Sequence, residues 1–333
     1  MSKRYAAIAC VLSTATLLGA VVAASTSARS AAVGSRRSPS GEGGQQPRIS
    51  NGRLTTQAAG SLQQTFRAVV NAQTDIAWIG YSVPVADRER TVCCWSSGDG
   101  TTYISGSVSS GSMPCCGNCR IEPNTAGTPA GTQPAASATT PAGPIKLEGS
   151  DRMIVMFRIA DRQVERVRAF SEDCELDAGG RAVTLLQDVR PAESVALLES
   201  LIGKDAERKN RITNAALSAL AMHAEPSAVS TLERLARSHV SSSVRGEAIF
   251  WMGQAAGRKA AGAISEAIEK DPETEVKKRA VFALSQLPKS EGVPLLIDVA
   301  RKNANPVVRK QAIFWLGQSK DPRALEFFAE ILK

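Results

Sequence analysis

A spacing of 32 residues governs the C-terminal part of the chain and constrains its fold more than any other feature. The segments SVRGEAIFWMGQ (243–254), EVKKRAVFALSQ (275–286) and VVRKQAIFWLGQ (307–318) align without gaps, and RITNAALSALAM (211–222) lies one period earlier. Apolar residues recur in phase within these segments: Ile212, Val244, Val276, Val308; Ala216, Ala248, Ala280, Ala312; Leu217, Ile249, Val281, Ile313; Leu220, Met252, Leu284, Leu316. Such units bury their apolar faces only by stacking on neighbours, so the pattern predicts an α-solenoid.

Each unit also carries a second apolar stripe in phase with the first. Its positions are Leu232, Ile264, Leu296, Phe328 and Leu235, Ala267, Val299, Ile331. Pro226, Pro272, Pro306 and Pro322 stand at or near the expected helix starts. Two short amphipathic helices per unit, preceded by a helix over 192–202, give about nine helices.

The repeated segments resemble HEAT repeats of the short type that also occurs in phycobilin-lyase-like proteins. The resemblance covers about residues 190–333 and rests on the sequence from Asp271-Pro272-Glu273 through VKKRAVFALSQL and on VVRKQAIFWLGQSKDPRALEFFAEIL (307–332). It implies an α-α superhelix that binds other macromolecules on its inner surface. The sequence departs from the family pattern where Trp251 and Trp315 replace an alanine. It departs again where the turn acid reads Glu207, His239, Asp271 and Asn303.

Enzymatic members of the family, such as deoxyhypusine hydroxylase, hold two irons with paired His-Glu dyads. Here Ala224 follows His223 and Val240 follows His239, so neither histidine forms a dyad, and we expect one near a helix end and the other in a turn. A nucleophile elbow and a phosphate-binding loop are also missing from the sequence. We therefore expect no enzyme activity, no cofactor, and no catalytic or metal-binding residue.

The N-terminus predicts export. Lys3 and Arg4 precede an apolar run from Ala6 to Ala24, with Val22 and Ala24 placed for cleavage, so residues 1–24 are interpreted as a signal peptide. An uncleaved anchor is the alternative, although Ser13, Thr14 and Thr16 weaken the run. We expect a periplasmic or secreted protein with no stable membrane span after cleavage.

The region between the signal and the repeats predicts a linker and a small domain, which makes the fold class α+β. Residues 25–60 are rich in Ser, Gly and Arg and are expected to be a disordered linker. Residues 61–180 are expected to form a β-containing domain with a strand over 76–85, a hairpin of 153–159 with 164–170, and a flexible insertion at 123–144. The solenoid is assigned to residues 185–333 and expected to unfold independently of this domain.

Six cysteines remain after removal of Cys10 with the signal. They are Cys93, Cys94, Cys115, Cys116, Cys119 and Cys174. An even number in an exported, turn-rich domain predicts a disulfide framework. Zinc binding by four of the thiolates, or redox work by the Cys116–Cys119 pair, are the alternatives. Calcium binding by Glu172, Asp173, Glu175 and Asp177 is a further possibility. The sequence around them does not match the helix-flanked calcium loop, which argues against it.

The composition argues against a nucleic-acid partner. A formal charge of +8 without a basic tail or patch and 5% aromatic residues do not suit nucleic-acid binding, and the presence of only two histidines argues against a histidine-rich metal centre. We instead expect a protein partner of unknown identity. The interpretation is an exported, non-enzymatic scaffold that binds proteins through its solenoid; the alternative is an enzyme or a metal or redox protein that uses the cysteine cluster.

Two in-phase rows are candidates for the partner surface. One is aromatic and the other basic, with lysines beside it: Phe250, Phe282, Phe314; Arg245, Lys277, Arg309; Lys278, Lys310. The three phenylalanines are either buried between adjacent repeats or exposed as a ridge. The resemblance implies that the basic row hydrogen-bonds to turn acids as a structural ladder, and a basic docking strip is the alternative.

Overall fold

A computed structural model describes residues 47–86, 119–122, 151–172, 174–203 and 211–332. The signal peptide predicted at 1–24, most of the linker, the insertion at 123–144, and Cys93, Cys94, Cys115 and Cys116 lie outside the described residues. The strands are β1 Ile49–Ser50, β2 Arg53–Ala58, β3 Ala77–Pro84, β4 Cys119–Arg120, β5 Arg152–Ala160, β6 Gln163–Ser171, β7 Leu176–Asp177 and β8 Ala182–Gln187. The helices are α1 Leu62–Ala72, α2 Pro191–Ser200, α3 Arg211–Met222, α4 Pro226–Ser238, α5 Ser242–Ala256, α6 Ala261–Lys270, α7 Thr274–Ser285, α8 Lys289–Lys302, α9 Pro306–Ser319 and α10 Pro322–Ile331.

The N-terminal half is built on a five-stranded sheet of order β2-β8-β3-β5-β6. Strands β2, β8 and β3 run parallel, and β3, β5 and β6 run antiparallel. This confirms the predicted strand over 76–85 and the predicted hairpin, whose turn residues Asp161 and Arg162 both have positive φ as a tight hairpin turn requires. A second, three-stranded sheet has the order β1-β7-β4.

The prediction of a disordered linker over 25–60 is wrong for its last residues. Strands β1 and β2 occupy 49–50 and 53–58. All six side chains of β2 are exposed, so the strand shows none of the apolar alternation by which a strand is recognised in sequence. Helix α1 follows it and packs on the sheet through Leu62, Phe66, Val69 and Val70.

Alternate residues of the central strands face two separate hydrophobic cores. On β3, Ile79 and Tyr81 face the core that contains α1 and the solenoid helices, whereas Trp78 faces the opposite side. There Trp78 joins a smaller core with Phe170, Leu176 and Cys174, which is buried. Both faces of the sheet are therefore covered at its central strands, consistent with the mostly apolar sequence of β5.

The helices of the C-terminal half repeat with the predicted register. The in-phase residues Ala248, Ala280 and Ala312 are all fully buried, and Met252, Leu284 and Leu316 are at most 1% exposed. The first helices of successive units, α3, α5, α7 and α9, pack side by side, and each second helix packs against its own first helix. The predicted helical solenoid is thus confirmed. In the described part of the chain, no helix is long and apolar enough to cross a membrane.

The sheet and the solenoid meet through backbone and side chains. The amide of Ala224 donates to Pro84 O at 3.0 Å and the amide of Ala86 donates to Met222 O at 2.9 Å, so the end of β3 pairs with the turn between α3 and α4. Ser194 Oγ lies 3.0 Å from Tyr81 Oη, and α3 packs against β6. Strand β8 also extends the sheet to Gln187, beyond the boundary expected near 180–185.

Candidate protein-binding surface

Each first helix of the central repeats begins after a side chain that accepts a hydrogen bond from the amide two residues later. His239 Nδ1 accepts from Ser241 N at 3.1 Å, Asp271 Oδ1 from Glu273 N at 2.9 Å, and Asn303 Oδ1 from Asn305 N at 3.0 Å. The acceptor satisfies an amide at a helix start, which has no partner within the helix. The departures from the family pattern at this position therefore keep its hydrogen bond and hold α5, α7 and α9 in register.

The basic row lies in the first turns of α5, α7 and α9, and its side chains donate to groups in or beside the turns between repeats. Arg245 Nε donates to Asp271 Oδ2 at 2.8 Å, its Nη2 donates to Asp271 Oδ1 at 3.0 Å, and its Nη1 donates to His239 O at 2.9 Å. Lys277 Nζ donates to Glu269 O and Arg309 Nη1 to Asn303 O, both at 2.8 Å. Arg245 is only 8% exposed, so its assignment to the partner surface is wrong. The row acts as a structural ladder at that position.

The Arg245–Asp271 pair is held in its charged form. The hydrogen bond to Asp271 raises the pKa of Arg245, and burial only partly opposes this effect. Burial alone would raise the pKa of Asp271, but the hydrogen bonds from Arg245 and from the Glu273 amide hold it below its usual value. Both groups therefore stay ionised at neutral pH and clamp α5 to the turn before α7.

Five aromatic residues form a continuous line across α5, α7 and α9, here called the aromatic row. It consists of Trp251, Phe250, Phe282, Trp315 and Phe314. The Phe250 and Phe282 rings stack with centroids 5.6 Å apart and an interplanar angle of 3°, and Phe282 lies 4.8 Å from Trp315. Phe314 ends the line and is 52% exposed. The rings thus pack between repeats and also present an apolar surface to solvent.

Trp251 and Trp315 sit at the edge of the core. Both are half-buried and pack against the core residues, as expected for the core side of the helices. The indole Nε1 atoms of both are buried, and neither has a hydrogen-bond partner among the described residues. The two tryptophans therefore connect the aromatic row to the hydrophobic core.

A groove opens beside Phe282 and Trp315 with a volume of about 290 Å³. Its lining combines these rings with charged and polar side chains: Glu275, Lys278, Arg279 and Gln311. Lys278 Nζ donates to Glu275 at 3.0 Å, and Arg279 pairs with Glu247 of the preceding repeat. Burial raises the pKa of Glu247, and Arg279 partly offsets this effect. Paired charges therefore border the rings.

The sequence analysis brought some of this surface together and missed the rest. The three phenylalanines and Lys278 lie together, and the exposed Lys310 stands beside them on α9. Glu247, Arg279 and Gln311 were missed, although they share one position of the 32-residue repeat, three residues before each phenylalanine. That spacing is one helical turn, which places each of them beside the ring.

The sheet contributes a second group of polar residues. Glu122 is 8% exposed and accepts hydrogen bonds from Trp78 Nε1 at 2.6 Å and from Arg158 Nε at 3.0 Å. Burial opposes the charge of Arg158, but its bonds to Glu122 and Glu165 raise its pKa. The carboxylate is surrounded by donors, so this cluster ties β3, β5 and residue 122 together.

Two of the four residues considered for calcium binding, Glu172 and Asp177, take structural roles. Glu172 pairs with Arg152, and Asp177 accepts from Asn51 Nδ2 at 3.1 Å and from Gly179 N at 2.8 Å. Asp173 lies outside the described residues, and among those described no group of three or more His, Cys, Asp or Glu residues is placed to hold a metal ion. Cys119 lies on β4 opposite Leu176. The disulfide framework stays a prediction.

Comparison with known proteins gives one family match, within the helical part of the chain. Residues 261–333 match the family model of HEAT repeats. The match lies within the part of the chain that resembles HEAT repeats, about 190–333, and agrees with that resemblance. A search of curated protein sequences found no match.

Three solved structures share likenesses with parts of this chain. The complex of CpcE and CpcF of phycocyanin lyase from Nostoc sp. PCC7120 is 19% identical with a TM-score of 0.33, over 42% of this chain and 89% of that chain. The E. coli protein YibA is 22% identical with a TM-score of 0.30, over 43% and 54%. Human deoxyhypusine hydroxylase in complex with glycerol is 15% identical with a TM-score of 0.17, over 43% and 74%.

Proposed function

We propose that this chain is an exported, non-enzymatic scaffold that binds a protein partner through the aromatic row. HEAT-repeat arrays are extended binding surfaces, because stacked repeats present the same helix face many times over. The first helices α5, α7 and α9 provide that face here. The partner would lie across several repeats and contact one ring from each.

The observation that carries the proposal is the exposure of Phe314 at the end of the aromatic row, whose other four rings are half-buried. Phe314 is 52% exposed, and Ile313 and Val307 on the same helix are 37% and 48% exposed. Aromatic residues surrounded by polar groups are typical of binding hot spots, since their burial on association contributes most of the affinity. Lys278, Arg279 and Glu275 would form the polar rim around them.

Site-specific photo-crosslinking tests this surface. A photoreactive phenylalanine analogue at position 314 should capture one protein from the compartment into which the chain is exported. The same analogue at Leu325, which is 68% exposed on α10, is the matched control and should not capture it. With the analogue kept at position 314, Val307→Glu, two turns away on the same face of α9, should abolish capture with an unchanged circular dichroism spectrum, whereas Leu325→Glu should leave capture intact. Equal capture from both positions would contradict the proposal.

Export is supported by the basic and apolar N-terminus and by the six cysteines that follow it. Mass spectrometry of the protein from its native compartment tests both points. The expected result is a mature chain that begins after Ala24 and gains alkylation at the cysteines only after reduction. Six alkylatable thiols without reductant, or stoichiometric zinc, would favour the alternative of a metal or redox protein.

A further inference from the structure

Strand β2 forms an open edge of the five-stranded sheet. It is the terminal strand in the order β2-β8-β3-β5-β6, whereas the other terminal strand, β6, packs against α3. All six residues of β2, RLTTQA, are exposed, and they pair with β8 without a register shift. Natural edge strands are often protected by proline, charged side chains or a bulge. Strand β2 has no proline and no bulge, and its one charged residue, Arg53, stands at its first position.

The hydrogen bonds to β8 show which backbone groups of β2 face the open side. The amide of Arg53 donates to Arg181 O at 3.0 Å, and the amide of Ala59 donates to Gln187 O at 2.8 Å. Since backbone groups alternate in direction along a strand, the odd-numbered residues from 53 to 59 face β8. The amides and carbonyls of Leu54, Thr56 and Ala58 therefore point outward, where no described strand pairs with them.

We propose that β2 pairs with β2 of a second copy of this chain, antiparallel and centred on Thr56. In this register Thr56 lies opposite the equivalent threonine of the other copy, and Leu54 lies opposite Ala58. Each of these pairs uses its outward amides and carbonyls to exchange two hydrogen bonds. The two sheets then become one continuous sheet across a two-fold axis.

The pattern of side chains favours a second copy as the occupant. Antiparallel pairing about a two-fold axis is self-complementary, so each outward donor meets an acceptor of the other copy. The same register sets Arg53 opposite Ala59 and Thr55 opposite Gln57, so no two like charges face each other. A six-residue strand buries little surface, and the dimer is accordingly concentration-dependent.

Hydrogen–deuterium exchange of the full chain tests this pairing residue by residue. The amides of Leu54, Thr56 and Ala58 should exchange at least about tenfold more slowly at high protein concentration than at low concentration. The amides of Thr55 and Gln57 face β8 and are the internal control, since their protection should not depend on concentration. Light scattering on the same samples should show the mass rising from monomer to dimer.

A proline variant tests the edge separately. Thr56→Pro removes an outward donor and keeps the bonds to β8, whereas Thr56→Ala keeps the donor. Thr56→Pro should be monomeric at concentrations where the wild type and Thr56→Ala are dimeric; if it does not fold, the exchange experiment decides alone. Outward amides that exchange fast at every concentration would overturn the proposal. So would outward amides that are equally protected in a monomer, because another segment of the same chain would then cover the edge.

Discussion

A single side-chain acceptor recurs at the turns before five helices, and its chemical identity varies. Besides His239, Asp271 and Asn303, His223 Nδ1 accepts from Glu225 N at 3.2 Å and Asp321 Oδ1 accepts from Arg323 N at 3.0 Å. An imidazole can accept at Nδ1 only when that atom carries no proton. Each of these turns therefore needs a side-chain acceptor for the amide two residues later.

His223 should make the stability of the protein depend on pH. It is 2% exposed, and burial lowers its pKa from 6.5 to about 4, an effect that the Glu225 carboxylate partly opposes. Between these pH values the unfolded chain binds a proton that the folded chain does not. The free energy of unfolding therefore rises with pH from about 4 to 6.5, by at most about 3 kcal/mol, and is unaffected by this group above 6.5.

The variant His223→Asn keeps the acceptor, as Asn303 does, and removes the titration. Urea unfolding followed by circular dichroism between pH 4 and 7 should show a flatter pH dependence for the variant, with similar stability at pH 7. A variant that retains the full wild-type slope would show that another group is responsible.

Arg245 and Arg309 share one repeat position but should differ in their contribution to stability. Arg245→Ala leaves the buried Asp271 without its cation, which should cost about 3–5 kcal/mol. Arg309 is half-buried and donates to the carbonyls of Asn303 and Ala304, so Arg309→Ala should cost about 1–2 kcal/mol. Urea unfolding of both variants measures the difference. Equal losses would contradict the special role of the Arg245–Asp271 pair.

At the scale of elements, α8 approaches the end of α7 so closely that one of its residues must be glycine. A Cβ atom on Gly292 would lie 2.3 Å from Leu284 O, a backbone atom, and the residue is buried. This contact sets the distance and angle at which α8 packs against α7. The pocket between α7, α8 and α9, lined by Leu284, Gly292 and Trp315, begins at the same place.

Alanine at Gly292 should therefore destabilise the repeat by about 1–3 kcal/mol, because the helices must move apart. Gly317 in α9 is the matched control, since a Cβ there meets nothing within 4 Å. Gly317→Ala should stabilise the protein by about 0.5–1 kcal/mol through helix propensity. Thermal unfolding of the two variants measures both signs. A neutral Gly292→Ala would mean that α8 adjusts its position freely.

The helices and strands differ in how well they can be predicted from the sequence. The repeat helices were predictable because their apolar residues recur both within a helix and every 32 residues. Helix α1 was missed although Leu62, Phe66, Val69 and Val70 follow a helical spacing, since the surrounding strands drew the whole region toward a β interpretation. The partners of Glu122 could not be foreseen, because Trp78 and Arg158 lie 44 and 36 residues away and only the sheet brings them together.

At the scale of the whole molecule, one hydrophobic core runs from the sheet into the helices. Phe157 and Tyr81 of the sheet belong to the same set of contacting buried residues as Leu217 of α3 and Ala280 of α7. The expectation that the solenoid unfolds independently rested on repeats that contact only neighbouring repeats. The packing of α3 against β6 and of α2 against β3 does not meet that condition.

Damage to the sheet should therefore weaken the solenoid. Phe157→Ala removes a fully buried ring whose centroid lies 4.9 Å from that of Phe66. The substitution should lower the free energy of unfolding by about 3–5 kcal/mol. The urea midpoint for loss of the helical circular dichroism signal should fall. Amide exchange should accelerate more in α3 than in α9, because coupling along a repeat array passes between neighbours. If the urea midpoint for loss of the helical signal equalled that of the wild type, the sheet and the solenoid would unfold independently and this prediction would be wrong.

The position of β8 in the sheet has a consequence for the order in which the molecule is completed. This strand lies between β2 and β3, yet it is the last of the eight described strands to be synthesised, and Thr55 pairs with a residue 129 positions later. A nascent chain that ends before Ala182 holds two strands whose shared neighbour does not yet exist. Contacts this distant form slowly, since a long loop must close first. The parallel half of the sheet therefore stays unformed until β8 has been synthesised.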